Sequence, residues 1–476
     1  MSSIKEVFKN TSWLLISQII TSIFGFVWIV LLARYLGVSD FGTMNFAISF
    51  TTIMSIFTDL GLNIYTTRDL SRYPNLPQKY IGNIIPLKGL FSLITFIITI
   101  IILLIMDSTL LTIEVVLIFT MHMIFLNVGN LFNGVFQAYG KLKFQAIGII
   151  LNSSLVLIGT LLLIYFNLGL AFVALTYMIG SLFTLNYLYS KIRTKIIVPK
   201  LQFDFNFWKN SVKTAIPFGI TTVFTTIYFM IDTVMLSFMI GNVAVGIYSS
   251  AYKVINVFIT LYTVYNFVVF PLMSKFYKNS ENLLKISYEK SVKYLLIMML
   301  PIAIGITIYS SDVATLIFGN DYILAGDVLR ILIWNVLFVM INGASTNLLN
   351  SSNNEVAVTK INGIACLINV LFNFVLIYYL SYIGASIATV ITGIIICILM
   401  NYIITRGRFK PDMSLIYDII KISISGLILT IILLFTHLNL LIAIPVAIII
   451  YIIGLILTKS LDSTDAAILK EIIGRK

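Results

Sequence analysis

Charge is scarce in this chain: 11% of its 476 residues are charged, against about a quarter in soluble domains, while 59% are hydrophobic. A soluble core has no use for so much apolar sequence, whereas a bilayer does. Cysteine and histidine are nearly missing as well. Cys366 and Cys397 fall inside apolar runs, and with His122 and His437 they form neither a disulfide framework nor a metal-ligand spacing. No metal or cofactor is expected. There is no glycine-rich phosphate loop and no nucleophile placed beside a base, which argues against an ATPase and weakens any enzymatic reading. Long polar segments are missing too. The largest, near residues 191–209 and 274–291, hold about twenty residues, little room for the acceptor site of a membrane polysaccharide polymerase or ligase.

What the chain does have is apolar runs that recur from end to end. Crossing about 30 Å of hydrocarbon takes about 20 helical residues, and fourteen runs qualify, near 11–33, 43–66, 81–106, 110–138, 144–166, 168–190, 211–240, 246–273, 292–318, 324–350, 359–380, 383–405, 415–437 and 438–458. The first is too long for a signal peptide and ends in Arg34 and Tyr35 without a small-residue cleavage pattern, so it reads as an anchor. Basic residues cluster in alternate loops: Arg68, Arg72 and Lys79; Lys141 and Lys143; Lys191 to Lys209; Lys275 to Lys290; Lys360; Arg406 to Lys410. Only Arg34 and Arg330 lie on the opposite side. The positive-inside rule then places both termini in the cytoplasm of a multi-pass cell-membrane protein. Spread over short juxtamembrane loops, the formal charge of +12 fits contact with anionic membrane lipids and not nucleic acid.

The chain also repeats itself. A shift of 204 positions lays Leu32, Leu36, Gly37, Gly42 and Ala47 on Leu236, Ile240, Gly241, Gly246 and Ala251, and a shift of 213 lays His122, Asn133 and Gln137 on Asn335, Thr346 and Asn350. Matches in one order indicate a duplicated unit. Six helices per copy, an even number, give both copies the same polarity and relate them by a pseudo-twofold along the membrane normal. The expected fold is therefore an all-α membrane protein of about fourteen helices: an N-lobe over 1–205, a C-lobe over 206–410, and a helix pair with a tail over 411–476. A cleft between two such lobes suits alternating access.

Polar residues inside the spans mark candidate sites. Asn127, Asn130, Asn133 and Gln137 share about a third of the fourth helix's circumference, Asn335, Asn342, Thr346 and Asn350 stripe the tenth, and Asn362, Asn369 and Asn373 stripe the eleventh. Such amides either glue helices together or line a wet cavity that receives sugar hydroxyls. Lys88, Asp232 and Lys253 put charge about 10 Å inside their helices. The lysines either snorkel toward the headgroups or face a polar interior. Asp232 is too short to snorkel, and it serves either as a buried partner of Lys253 or as a functional carboxylate.

The outer hairpin ARYLGVSDFGTMNFAISF and the following TDLGLNIYTTRDLSR resemble the opening of oligosaccharide flippases of the polysaccharide transporter family. The segments MIDTVMLSFMIGNVAVGIYSSAYKV, VLRILIW and YIGASIATVIT extend the resemblance over nearly the whole chain. That family shares a superfamily and a two-lobed MATE-like fold with multidrug exporters and lipid II flippases. The resemblance implies a cargo, an oligosaccharide on a polyprenyl phosphate or diphosphate, carried to the outer leaflet for cell-surface glycan assembly beside other glycan-assembly proteins. It further implies that Arg68, Lys88 and Lys253 are the cations that attract the lipid head, and that Asp232 is the acidic residue of the seventh span, a site for coupling to H+ or Na+. Sugar hydroxyls would then fall to amides such as Asn133, Gln137, Asn342 and Asn350. A cation-coupled drug exporter of the same fold is the nearest competing expectation.

Overall fold

The structure is a computed structural model, which describes residues 4–106, 108–436 and 438–461; His437 lies outside them. Those residues form fourteen α-helices and one short 3-10 turn, with no strand among them. In chain order the helices are α1 (Ile4–Asp59), α2 (Leu62–Arg72), α3 (Pro77–Ile105), α4 (Leu110–Ala138), α5 (Leu142–Phe166), α6 (Leu170–Lys195), α7 (Phe205–Met239), α8 (Asn242–Asn279), α9 (Glu281–Ile308), α10 (Ser310–Phe318), α11 (Ala325–Ser351), α12 (Glu355–Arg406), α13 (Met413–Thr436) and α14 (Leu440–Leu457).

Twelve of the described helices are long and apolar enough to cross a membrane. Two of these, α1 and α12, are double length and bend at one residue each, Gly37 (φ 71°) and Ser381 (φ 55°). The bends split α1 into arms of 33 and 22 residues and α12 into arms of 26 and 25, roughly 33–50 Å each. The tight hairpins expected after the first and eleventh spans are therefore single-residue breaks in otherwise continuous helices.

Three expected boundaries need correction. The second span, read as unbroken over 43–66, stops at Asp59, because Leu60 (φ 45°) and Gly61 (φ 86°) turn left-handed before α2 begins. The cytoplasmic loop read over 274–291 is almost entirely helix, since α8 ends at Asn279 and α9 starts at Glu281. Its polar residues are the ends of long helices, a feature that composition alone cannot tell from a loop. The ninth span, read through Phe318, ends at Ile308, and α10 is a separate short helix capped by Gly319 (φ 99°).

The chain forms two compact units: one runs to Ser249 and takes in Asn373–Ser381, the other holds Ser250–Phe372 and the chain from Tyr382. In the first unit α1 packs on α3, α4, α5 and α7, and α4 packs on α6. Leu62, Ile81, Ile84, Leu131, Phe136 and Ala215 are buried in a core that joins α2, α3, α4 and α7.

Within this unit the two copies of the repeated hairpin touch each other reciprocally. A Cβ on Gly42 would lie 1.8 Å from the Asn242 carbonyl oxygen, and one on Gly246 would lie 2.0 Å from the Val38 carbonyl oxygen. Under the 204-residue shift Gly42 maps to Gly246 and Val38 to Asn242, so one contact is the image of the other. Only glycine allows helices to approach so closely. Thr43 Oγ1 accepts a 2.8 Å hydrogen bond from Asn242 Nδ2, and Ser237 donates to Asn242 Oδ1 at 2.8 Å, which pins the junction.

The second unit is organised on α9, against which α11, α13 and α14 pack. Ile304, Ile422, Leu429 and Tyr451 are buried together there, and Lys293, itself buried, forms a 3.0 Å ion pair with Asp418.

Candidate functional site

Lys88 is the most deeply placed candidate cation. It sits on α3 with no exposed surface, and its Nζ donates to Asp59 Oδ1 at 2.7 Å and to Asn63 Oδ1 at 3.0 Å. The break after α1 makes this possible. A Cβ on Gly61 would lie 2.4 Å from the Ala215 carbonyl oxygen, and one on Gly219 would lie 2.8 Å from backbone atoms of Leu60, so the break is pressed directly on α7. The turn leaves the Asp59 carboxylate at the start of α2, where it also accepts the Asn63 N–H at 3.2 Å. Ion pairing thus satisfies the ammonium where it lies, and the side chain does not reach for the headgroups.

Arg68, half-buried on α2, is paired as well. Its guanidinium reaches Asp69 at 2.7 and 2.8 Å and lies over the Phe218 ring, 5.0 Å from its centre. Asp69 in turn accepts from Tyr80 at 3.2 Å. Lys253, half-buried on α8, has no hydrogen-bond or ion-pair partner within its unit among the described residues.

Asp232 on α7 is 2% exposed. Tyr248 donates to its Oδ2 and Asn373 to its Oδ1, both at 2.6 Å. Asn373 comes from the segment of α12 that belongs to the first unit, so this carboxylate holds together elements distant in sequence.

The amides divide into glue and cavity lining. On α11, Asn342 is buried and donates to the Gly393 carbonyl at 2.9 Å, and a Cβ on Gly393 would lie 2.5 Å from Asn335 Oδ1. Both therefore lock α11 to α12. Asn350, near the end of α11, is half-buried, and Gln137, near the end of α4, is exposed and bonded to Gln145 at 3.2 Å. Asn133 is different. It lines a cavity of about 190 Å³ inside the first unit, together with Asn130, Asn152, Thr21 and Trp28. Among the described residues no three His, Cys, Asp or Glu side chains gather as a metal set.

Several partners escaped the sequence reading. Asp59 and Asn63 were hidden by the expectation of a continuous second span, and Asp69 stood beyond it beside Arg68 in sequence. Lys293 and Asp418 were legible as opposite charges near the ends of two spans, and Asn152 as a lone amide well inside the fifth.

The profile of polysaccharide biosynthesis proteins matches residues 7–277, and the MatE profile matches residues 217–375. A capsular polysaccharide biosynthesis protein of Staphylococcus aureus is 23% identical over 84% of this chain and 99% of its own length. A probable low-salt glycan biosynthesis flippase of Haloferax volcanii is 22% identical over 45% of this chain and 44% of its own. Among solved structures, the lipid II flippase MurJ in an inward closed conformation superposes with a TM-score of 0.79 and 18% identity, covering 97% of this chain and 99% of that one. The expected MATE-like, all-helical membrane fold is the observed one, and the family resemblance holds: the chain belongs to the polysaccharide biosynthesis protein family.

Proposed function

We propose that this protein is a flippase that moves an oligosaccharide linked to a polyprenyl phosphate or diphosphate from the cytoplasmic to the outer leaflet, by alternating access, for assembly of a cell-surface glycan. Membership of the polysaccharide biosynthesis family carries this reading. Relatives named for glycan flipping and capsule biosynthesis support it. So does the physical setting: an anionic lipid head needs compensating charge to leave water, and Lys88 and Lys253 keep cations on mostly apolar helices while Arg68 adds one on the polar helix α2. The protein acts as a transporter and not as an enzyme. It sits in the cell membrane with fourteen crossings, counting the arms of α1 and α12 separately, and with both termini in the cytoplasm.

The lobes over 1–205 and 206–410 are the moving parts. The reciprocal contact of Gly42 and Gly246 supports that division, because it is the packing a pseudo-twofold between two repeats produces. Asp232 is the coupling carboxylate for H+ or Na+. The test is reconstitution into liposomes with lipid-linked glycan extracted from the host, with a lectin reporting sugar on the outer surface. Lectin-accessible sugar should appear faster than in protein-free vesicles; equal rates for every host glycolipid overturn the reading.

The MatE match across the stretch that holds Asp232 favours one second reading, a cation-coupled exporter of small organic cations. That reading requires gradient-dependent efflux of such cations and its loss in Asp232→Asn.

A further inference from the structure

The cavity in the first unit lies between α1, α4, α5 and α6, and none of the described residues that line it is charged. Three polar atoms in that wall are buried without a hydrogen-bond partner: Thr21 Oγ1, Asn133 Oδ1 and Asn152 Oδ1. Each such atom costs about 1–3 kcal/mol if left unsatisfied, and all three belong to side chains that line one space of about 190 Å³, which favours a polar occupant.

The chemistry of the wall selects the occupant. Ser153, Ser181 and Thr184 spend their hydroxyl protons on carbonyls of their own helices, at 3.0, 2.8 and 2.9 Å, so these hydroxyls present lone pairs to the cavity. Amides offer both donors and acceptors whichever way they are turned. An ammonium ion would lack a carboxylate here, and a phosphate, rich in acceptors only, would face other acceptors without a cation. A neutral group that brings several O–H donors satisfies the wall. Trp28 supplies a flat apolar surface in the same wall, the counterpart of the apolar face of a pyranose ring. A space of about 190 Å³ is on the scale of one sugar ring.

We infer that this cavity is a subsite for a single uncharged sugar ring of the cargo, held by Thr21, Asn133 and Asn152 against Trp28. The inference rests on the flippase reading and narrows it, since recognition of one sugar is assigned to the interior of one unit, apart from the cations that attract the lipid head. Asn133 stands about 7 Å from the end of α4, and Asn152 about 15 Å from the start of α5. Both of those ends are on the cytoplasmic side in the proposed topology, so the subsite is reached from the leaflet where cargo loads.

The experiment uses the full chain with Trp13, Trp208 and Trp334 replaced by Phe, so that Trp28 is the only tryptophan, excited at a wavelength that the tyrosines do not absorb. Free hexoses, N-acetylhexosamines and deoxyhexoses are titrated in turn, with choline and inorganic phosphate as cation and anion controls. At least one sugar should change Trp28 emission saturably and the controls should not. Asn152→Leu should weaken that sugar roughly tenfold, the loss of about one hydrogen bond, and Asn152→Gln should recover part of it. Unchanged thermal unfolding of Asn152→Leu keeps a binding loss from being mistaken for misfolding; if that variant unfolds early, Thr21→Val takes its place. A response to choline or phosphate in place of sugars, or to no solute at all, overturns the subsite. Translocation of lipid-linked glycan by the unsubstituted protein is read in parallel: if it proceeds while Trp28 senses no sugar, the subsite falls and the flippase reading stands, and if Trp28 senses sugar but no glycolipid moves, the reverse holds.

Discussion

Lys88 shows how a charge survives in an apolar protein. Asp59 and Asn63 surround its ammonium group, and removing one member of a buried pair leaves the other uncompensated, at a cost of about 3–5 kcal/mol. Lys88→Met alone should therefore lower thermal stability in detergent sharply, while Lys88→Met combined with Asp59→Leu should recover most of it. Transport separates structure from function: the double variant should fold yet translocate glycolipid at least tenfold more slowly, and wild-type rates in it would make the lysine purely structural. Asp232→Asn keeps an acceptor for Tyr248 and should fold, but it should abolish the dependence of transport on a proton or sodium gradient, measured as the rate with and without each gradient. The sequence marks Lys88 and Asp232 as anomalies because charge inside a span is costly wherever its partner lies. It conceals Asp59 and Tyr248, since their role depends on a left-handed turn at Leu60–Gly61 and on a helix contact, neither of which has a periodic signature.

Among the elements, the repeated hairpins are the most legible. Gly37 and Gly241 both adopt positive φ, and Gly42 and Gly246 exchange backbone contacts, so positions aligned by the 204-residue shift do equivalent work. In the proposed function this junction lies on the outer side and opens for cargo to leave. With Cys366 and Cys397 replaced by Ala, Thr43→Cys/Asn242→Cys should form a disulfide on oxidation, because the backbones already touch at Gly42 and Asn242. A mobility shift on non-reducing gels, abolished by reductant, checks this.

The last two helices were the least legible element, being apolar on most faces and outside the repeat. They dock on α9 through an apolar cluster and the Lys293–Asp418 pair. Lys293→Met should lower the unfolding temperature, and adding Asp418→Leu should restore it. A single variant as stable as the native protein would show that apolar packing alone secures the pair. Nothing in the hydropathy of α13 and α14 specifies that partner, because lipid-facing and helix-facing residues are equally apolar in a membrane.

For the whole molecule, the proposed function requires that lipid-linked glycan cross the bilayer only when the outer junction of glycines opens. The most direct measurement is translocation of the host's lipid-linked glycan by the Thr43→Cys/Asn242→Cys protein in liposomes, followed with a lectin before and after reduction. The oxidised protein should leave the glycan in the leaflet where it was loaded, and reductant should restore movement to the rate of the unsubstituted protein. Equal rates in the oxidised and reduced states, or no movement in either, would contradict it.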